Sequence, residues 1–285
     1  MAVRLPPATL PAEAIALAQE YADGRRVPAE PRDAATVVLT RAGASGPEVY
    51  LLVRNRSMAF AAGKAVFPGG GVDPRDAAEE VPWAGPSPEE WAERLGCEVA
   101  EARALVCAAV RETFEECGVL LAGPSGDDVV ADVSGEEWEA DRVALESRSL
   151  SLSELLERRG LVLRSDLLGA WSGWCTPVIE PKRYRTWFFV AALPPGQVTR
   201  DVSTESVAVR WVPALQAAEE AERGELALMP PTYLTCLDVA HYPDADALLA
   251  AAAPRRVAMH TPAVEDGRLT MPPGYDVLLR ERGRL

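Results

Sequence analysis

The sequence predicts an α/β protein, on three observations. Runs of β-branched, aliphatic and aromatic residues at 35–40, 48–53, 186–193 and 206–212 have strand composition. Other segments repeat their apolar residues at three- and four-residue steps, as on one face of a helix, and 99–117 is the longest of them. At 285 residues and 48% apolar composition, the chain can bury the core of one large domain or of a domain with an appendage.

The elements follow in order. Residues 11–22 read as a short helix leading into the domain. The strands 35–40 and 48–53 are separated by Arg41–Pro47, whose alanines, glycines and proline suit a turn, so the pair forms a hairpin. A glycine-rich loop follows at 63–71. In the 99–117 helix, Val99, Ala102, Leu105, Val106, Ala109, Val110 and Phe114 form the apolar face, and Gly118 is placed to end it in the left-handed conformation. Residues 72–98 intervene between loop and helix as an extra segment. Ser87-Pro88-Glu89-Glu90 is a helix start, and Trp83 and Trp91 imply a folded cover rather than a loose loop.

Beyond residue 121, helices are expected at 134–148 and 153–159, and a proline-initiated helix at 213–223. Two more helices fall within 230–252, and a hairpin over 255–271 turns at Asp266-Gly267. There is no internal repeat and no linker long enough for a domain boundary, so 1–285 is expected to be one domain with a helical C-terminal extension from about 213.

Charge narrows the function. The formal net charge is −14, from 43 acidic and 29 basic residues, which opposes nucleic-acid binding through a broad basic face. It does not oppose a small anionic substrate, because bound metal ions can supply positive charge locally. The five scattered cysteines contain no Cys-x-x-Cys pair and read as reduced thiols. The two histidines lie in different segments, which argues against a histidine zinc site. The N-terminal residues lack the apolar core of a signal peptide and no stretch of 18 apolar residues occurs. A cytoplasmic protein without a membrane span is therefore expected. The oligomeric state is open, with a homodimer as one option.

The most informative stretch is Arg111-Glu112-Thr113-Phe114-Glu115-Glu116-Cys117-Gly118-Val119. At i, i+3 and i+4, the carboxylates of Glu112, Glu115 and Glu116 emerge on one side of a helix, where like charges repel. Divalent cations among them would relieve that repulsion, since Mg²⁺ and Mn²⁺ take hard oxygen ligands. Taken alone, the cluster favours a solvated acidic face.

Two further features favour a site: Phe67-Pro68-Gly69-Gly70-Gly71 upstream, and the closing Gly118 with apolar Val119, Leu120 and Leu121 behind it. Together they resemble the signature of the Nudix hydrolases, G-x5-E-x7-R-E-U-x-E-E-x-G-U, with U a bulky apolar residue. The Arg-Glu-x-x-Glu-Glu-x-Gly-Val half fits, with Thr113 in the first apolar slot. Arg54-Asn-Arg56-Ser57, Gly63-Lys-Ala-Val-Phe67-Pro-Gly-Gly, Thr176-Pro177-Val178 and Lys182–Phe189 are similar to the coenzyme A and acyl-coenzyme A diphosphatases within that superfamily, including their peroxisomal members.

The resemblance implies an α/β/α sandwich with a mixed sheet, an insertion before the Nudix helix at about 72–98, and extra C-terminal helices. It also implies a Mg²⁺- or Mn²⁺-dependent hydrolase acting on a small-molecule diphosphate, with coenzyme A or its acyl esters the leading substrates. ADP-ribose, NADH, nucleotide sugars and dinucleotides are the alternatives within enzymes, and a non-catalytic nucleotide-sensing module or an interaction scaffold the alternatives outside them.

Residue by residue, Glu112, Glu115 and Glu116 match the metal-binding glutamates, and Arg111 the arginine that positions one of them. Gly69, Gly70 and Gly71 form a tight turn near phosphate and metal, with Gly71 contributing to the metal site. The first glutamate of the box is missing: eight residues before Arg111 stands Arg103, and Glu101, Glu98 or Asp76 are substitutes. Glu205 is a candidate for a further catalytic carboxylate. Arg54, Arg56, Lys64 and Arg185 are candidate phosphate anchors, and Trp171, Trp174, Trp187 and Tyr184 candidate stacking partners for an adenine; taken singly, each of these reads first as an ordinary surface charge or core aromatic.

Overall fold

The computed structural model describes residues 5–6, 8–55, 61–78, 80–204 and 206–285. Helix α1 (Ala12–Ala22) precedes the hairpin of β1 (Arg32–Gly43) and β2 (Gly46–Arg54). Both strands run further than their β-branched cores. Arg41↔Glu48 and Gly43↔Gly46 are still in register, so only Ala44 and Ser45 make the turn. An ion pair of 2.7 Å between Arg41 and Glu48 spans the extended ladder.

The glycine run departs from the expected loop. After β3 (Ala65–Val66), Gly69–Gly71 form a short strand, β4, antiparallel to β1 with Thr36↔Gly69, Ala35↔Gly70 and Ala34↔Gly71. Close approach is what demands glycine here, since a Cβ on Gly69 would stand 2.4 Å from the Ala35 carbonyl oxygen.

The segment before the long helix contains α2 (Pro74–Ala78), β5 (Trp83–Ala84) and α3 (Pro88–Leu95). Ser87 begins α3 with a capping box, accepting from the Glu90 N–H while the Glu90 carboxylate accepts from the Ser87 N–H. Helix α4 (Val99–Cys117) follows, and Gly118 ends it at φ 68°. Then come β6 (Ala122–Gly123), α5 (Glu136–Glu146), α6 (Leu152–Arg159), β7 (Val162–Arg164), β8 (Leu168–Cys175), β9 (Tyr184–Ala192) and β10 (Ser206–Pro213). The chain continues through α7 (Ala214–Glu222), α8 (Pro230–Val239), α9 (Ala245–Ala252), β11 (Met259–His260), β12 (Val264–Glu265), β13 (Arg268–Leu269) and α10 (Tyr275–Glu281).

The main sheet has the order β10-β2-β1-β9-β8-β11, with β3 beside β2 and β4 beside β1. It is mixed: β1 runs parallel to β9 and β8 to β11, and the remaining pairs are antiparallel. Strand alternation divides the core in two. Val37 and Leu39 join Trp91, Phe114, Leu155 and Phe189 on the α3–α4–α6 face. Val38 and Val190 join Tyr233, Leu237 and Leu248 on the α7–α10 face. Helices thus cover both faces, the α/β/α sandwich with added C-terminal helices. A small sheet of order β5-β7-β6 ties the extra segment to the chain beyond α4.

Strand β8 had no strand signature, because Gly169 and Gly173 interrupt it. The packing explains them: Cβ atoms there would fall 2.5 Å from the Ala252 Cβ and 2.9 Å from Val257 Cγ1. The Asp266-Gly267 turn is as expected, with both residues left-handed at φ 48° and 73°. Helices α3, α4 and α6 end on left-handed glycines, Gly96, Gly118 and Gly160. Helix α5 does not. After Ser147 the left-handed position is Arg148, at φ 60°. For a side-chain-bearing residue that conformation costs on the order of 1 kcal/mol.

Trp91 anchors the extra segment. It is fully buried, its ring meets Phe189 edge to face with centroids 5.7 Å apart, and the Arg94 guanidinium lies 5.2 Å from its ring centroid. Trp91→Ala should lower stability by about 3–5 kcal/mol, the usual cost of emptying an aromatic core site. Urea denaturation checks this, and an unchanged midpoint would show that α3 is not docked through Trp91.

Candidate active site

The C-terminal turns of α4 face β4, and the side chains between them form one cleft of about 350 Å³. Arg111, Glu112, Glu115 and Glu116 line it together with Gly69, Gly70 and Gly71. Helical periodicity delivers the acids, and the sheet register delivers the glycines opposite them.

Arg111 is buried at the centre. Its Nε and Nη2 donate to the Asp76 carboxylate at 2.9–3.3 Å, and Nη2 also donates to the Gly71 carbonyl at 2.9 Å. Nη1 donates to Glu112 Oε1 at 2.8 Å and to Glu115 Oε1 at 3.2 Å. Burial works against the guanidinium's charge, but Glu112, Asp76 and Glu115 together more than offset it and push its pKa up. Glu115 is itself pushed up to about 7, chiefly by burial and further by Glu112, with Arg111 pulling the other way.

The remaining contacts knit α4 to β4. Glu116 Oε2 accepts from the Gly69 N–H at 2.8 Å. The Glu112 carboxylate packs over Gly70, where an added Cβ would stand 2.6 Å from its atoms. Thr113 turns inward, fully buried, and donates to the Ala109 carbonyl at 2.7 Å, so a hydroxyl is accommodated in the apolar slot.

Asp76 fills the place of the missing acid. Counting back eight from Arg111 points to Arg103, yet the structure sets Asp76 against Arg111. The spacing from the glycines was the usable signal, since Gly70-x5-Asp76 matches G-x5-E with a shorter acid. The extra segment therefore begins after Asp76 and interrupts the stretch between acid and arginine. Of the other substitutes, Glu101 pairs with Arg185 at 3.5 Å and Glu98 is the N-cap of α4.

The expected anchors are placed differently from one another. Arg54 lines the cleft at the end of β2. Lys64 does not line it, and its carbonyl accepts from the Arg54 N–H at 2.9 Å. Arg185 is a correction: Tyr184 and Thr186 of β9 face the cleft, so alternation turns Arg185 away from it. It donates to Asp33 at 2.7 Å and stands 5.7 Å from the Trp187 ring centroid. Arg56 and Glu205 lie outside the described residues. Among the aromatic candidates Tyr184 is in the cleft, whereas Trp171, Trp174 and Trp187 are buried in the two cores. Sequence reading missed Asp73, Arg75 and Arg148, which line the cleft beside the extra segment. No local pattern marks them.

Among the described residues, no three His, Cys, Asp or Glu side chains stand close enough to hold a metal ion by themselves. The Gly71 carbonyl, expected at a metal, is engaged by Arg111. The donor set nevertheless fits a hard divalent ion. All of its groups are oxygens, Gly70 leaves room for the Glu112 carboxylate, and an open set suits an ion that keeps waters and takes phosphate oxygens. All five cysteines are free thiols, and no helix among the described residues is long and apolar enough to cross a membrane.

A mixed sheet between helical layers, with a glutamate-bearing helix facing a glycine strand, defines a Nudix-type domain. The chain belongs to the family described as the NUDT19 Nudix domain, which residues 86–237 match. It is 25% identical over 228 residues to the acyl-coenzyme A diphosphatase NUDT19 of Xenopus laevis, covering 68% of this chain and 60% of that protein. To the Gallus gallus protein of the same name it is 28% identical over 186 residues, 58% of this chain and 45% of that one. The chain thus spans about half the length of these curated relatives. A crystal structure of a NUDIX hydrolase from Alicyclobacillus acidocaldarius superposes with a TM-score of 0.66 at 28% identity, covering 79% of this chain and 97% of that one.

Asp76→Ala removes the carboxylate that accepts the most hydrogen bonds from a buried guanidinium. It should destabilise the fold by about 3–5 kcal/mol, the scale of breaking a buried ion pair from one side. Thermal and urea denaturation read this directly, and a loss below about 0.5 kcal/mol, the range of an ordinary surface change, would show that Asp76 is not what holds Arg111.

Proposed function

We propose that this protein is a divalent-metal-dependent diphosphatase that hydrolyses coenzyme A or acyl-coenzyme A to 3′,5′-ADP and (acyl-)phosphopantetheine. The observation that carries the reading is the placement of Glu112 and Glu116 against Gly70 and Gly69 in a cleft that also holds Glu115. The names of the relatives support the choice of substrate.

Glu112, Glu115 and Glu116 would hold the Mg²⁺ or Mn²⁺, which when bound neutralises diphosphate oxygens and orients water. The chain's own groups do the rest. Arg111, gripped by Asp76 and Gly71, fixes the Glu112 and Glu115 carboxylates in place. One of these glutamates, or another carboxylate of the cleft, would accept the proton of the attacking water. Arg54, which lines the cleft with the glycine strand, would pair with a substrate phosphate. Tyr184 lines the cleft and would meet a nucleobase there.

Coenzyme A should be cleaved faster than ADP-ribose or NADH in the presence of Mg²⁺ or Mn²⁺, and chelation with EDTA should abolish turnover until metal is returned. Glu116→Gln keeps an acceptor for the Gly69 N–H but loses the charge, so kcat should fall on the order of 100-fold or more with the circular dichroism spectrum unchanged. A higher rate on ADP-ribose or NADH would remove the substrate assignment. Undiminished turnover by the variant would place the chemistry elsewhere.

A further inference from the structure

We infer that Arg148 is a specificity-determining residue, selecting substrates that carry a phosphomonoester in addition to the scissile diphosphate. The inference rests on the diphosphatase reading above and assigns a role to a residue that reading does not use.

The first observation is an unfavourable backbone. Arg148 occupies the residue after the C-cap of α5, with its N–H donating to the Leu145 carbonyl at 2.8 Å and the Ser149 N–H to the Ala144 carbonyl at 2.9 Å. This is the Schellman arrangement, whose left-handed position favours glycine. The chain uses glycine at the left-handed ends of α3, α4 and α6. At the end of α5 it places an arginine at φ 60°, and that arginine lines the cleft. Backbone strain of this kind is concentrated at functional sites.

The second observation is that, among the described residues, one long ion pair is the side chain's contact and it makes no hydrogen bond. The Arg148 side chain is 78% exposed, and its ion pair with Asp73 is 3.7 Å long, beyond hydrogen-bond distance. Asp73 is already held by Arg75, with Nε and Nη2 each donating to one carboxylate oxygen at 3.1 Å, and its pKa is lowered to about 2, first through that contact. An exposed pair of this geometry contributes little to stability. Arg111 and Arg75 also line the cleft, but both are engaged by carboxylates of the protein. Arg148 presents its fork outward.

The third observation is position. Arg75 Nη1 donates to the Arg148 and Leu150 carbonyls at 3.2 and 3.3 Å, so α2 holds the backbone of this turn in place. The Asp73 N–H donates to Asp76 Oδ2 at 2.8 Å, and Asp76 in turn grips Arg111. Asp73, Asp76 and Arg111 thus link Arg148 to the glutamates through successive contacts, with no direct contact between Arg148 and a glutamate of α4 among the described residues. The scissile diphosphate belongs beside the glutamates, so Arg148 meets another part of the substrate. An outward guanidinium on a fixed turn matches a phosphate dianion, which it can take with two parallel hydrogen bonds. Coenzyme A carries such a group as its 3′-phosphate, and dephospho-coenzyme A lacks it.

The test compares kcat/KM for coenzyme A and dephospho-coenzyme A in the full chain and in Arg148→Gly, alongside calorimetric binding of adenosine 3′,5′-bisphosphate and adenosine 5′-monophosphate without metal. The wild type should prefer the phosphorylated member of each pair. Arg148→Gly should reduce that preference about tenfold, the worth of one charge-assisted contact, while Tm stays the same or rises by about 2 °C because glycine relieves the strain. A wild-type preference that survives Arg148→Gly overturns the inference and leaves the proposed function standing. A wild type that hydrolyses neither compound overturns both. A fall in Tm with the preference intact assigns Arg148 a structural role and also overturns the inference.

Discussion

The Arg111 guanidinium contacts three separately folded pieces of chain at once: the Asp76 carboxylate of α2, the Gly71 carbonyl of β4, and the Glu112 and Glu115 carboxylates of its own helix. The side chain is only 8% exposed. A buried cation with all of its donors directed at specific acceptors is stable only while those acceptors stay in place. The same contact therefore fixes how far α4 stands from the sheet, where α2 sits, and which way two of the glutamates point. The third, Glu116, is set by the Gly69 N–H.

The glycine strand is the counterpart of this arrangement. Pairing Gly69–Gly71 with β1 aligns backbone rather than side chains against the acids, and at Gly70 there is no space for anything else. Three carboxylates at the end of a helix would ordinarily be dispersed by their repulsion. Here one guanidinium and one amide hold them, while burial, and after it the neighbouring Glu112, pushes Glu115 up to about 7. Divalent ions complete this balance in the proposed function. Helix α2 joins the same network, because it supplies both the partner of Arg111 and, through Arg75, the brace beneath the turn at Arg148.

Much of this was legible in the residues themselves. The β-branched runs gave β1, β2, β9 and β10, the three- and four-residue spacing gave α4, and the i, i+3, i+4 glutamates gave one side of the cleft. Strand β8 was hidden because its glycines serve close packing rather than strand propensity. The glycine triplet was read as a turn because glycine is permissive in every conformation, and only the pairing with β1 reveals the strand. Asp76 was obscured by counting across an insertion. Arg185 shows what period-two alternation settles once the strand's facing is known, since its neighbours Tyr184 and Thr186 reach the cleft and it does not. Arg148 had no local signal at all. Its interest lies in a backbone conformation that a sequence does not display.

The central claim is that the carboxylates gathered by Arg111 against the glycine strand form the seat of a divalent cation. Anomalous diffraction from crystals soaked in Mn²⁺ tests it without reference to any substrate. The account predicts a peak at bonding distance from carboxylate oxygens of Glu112 and Glu116, beside Gly69–Gly71. Mn²⁺ bound only at other sites, with both carboxylates unliganded, would contradict it.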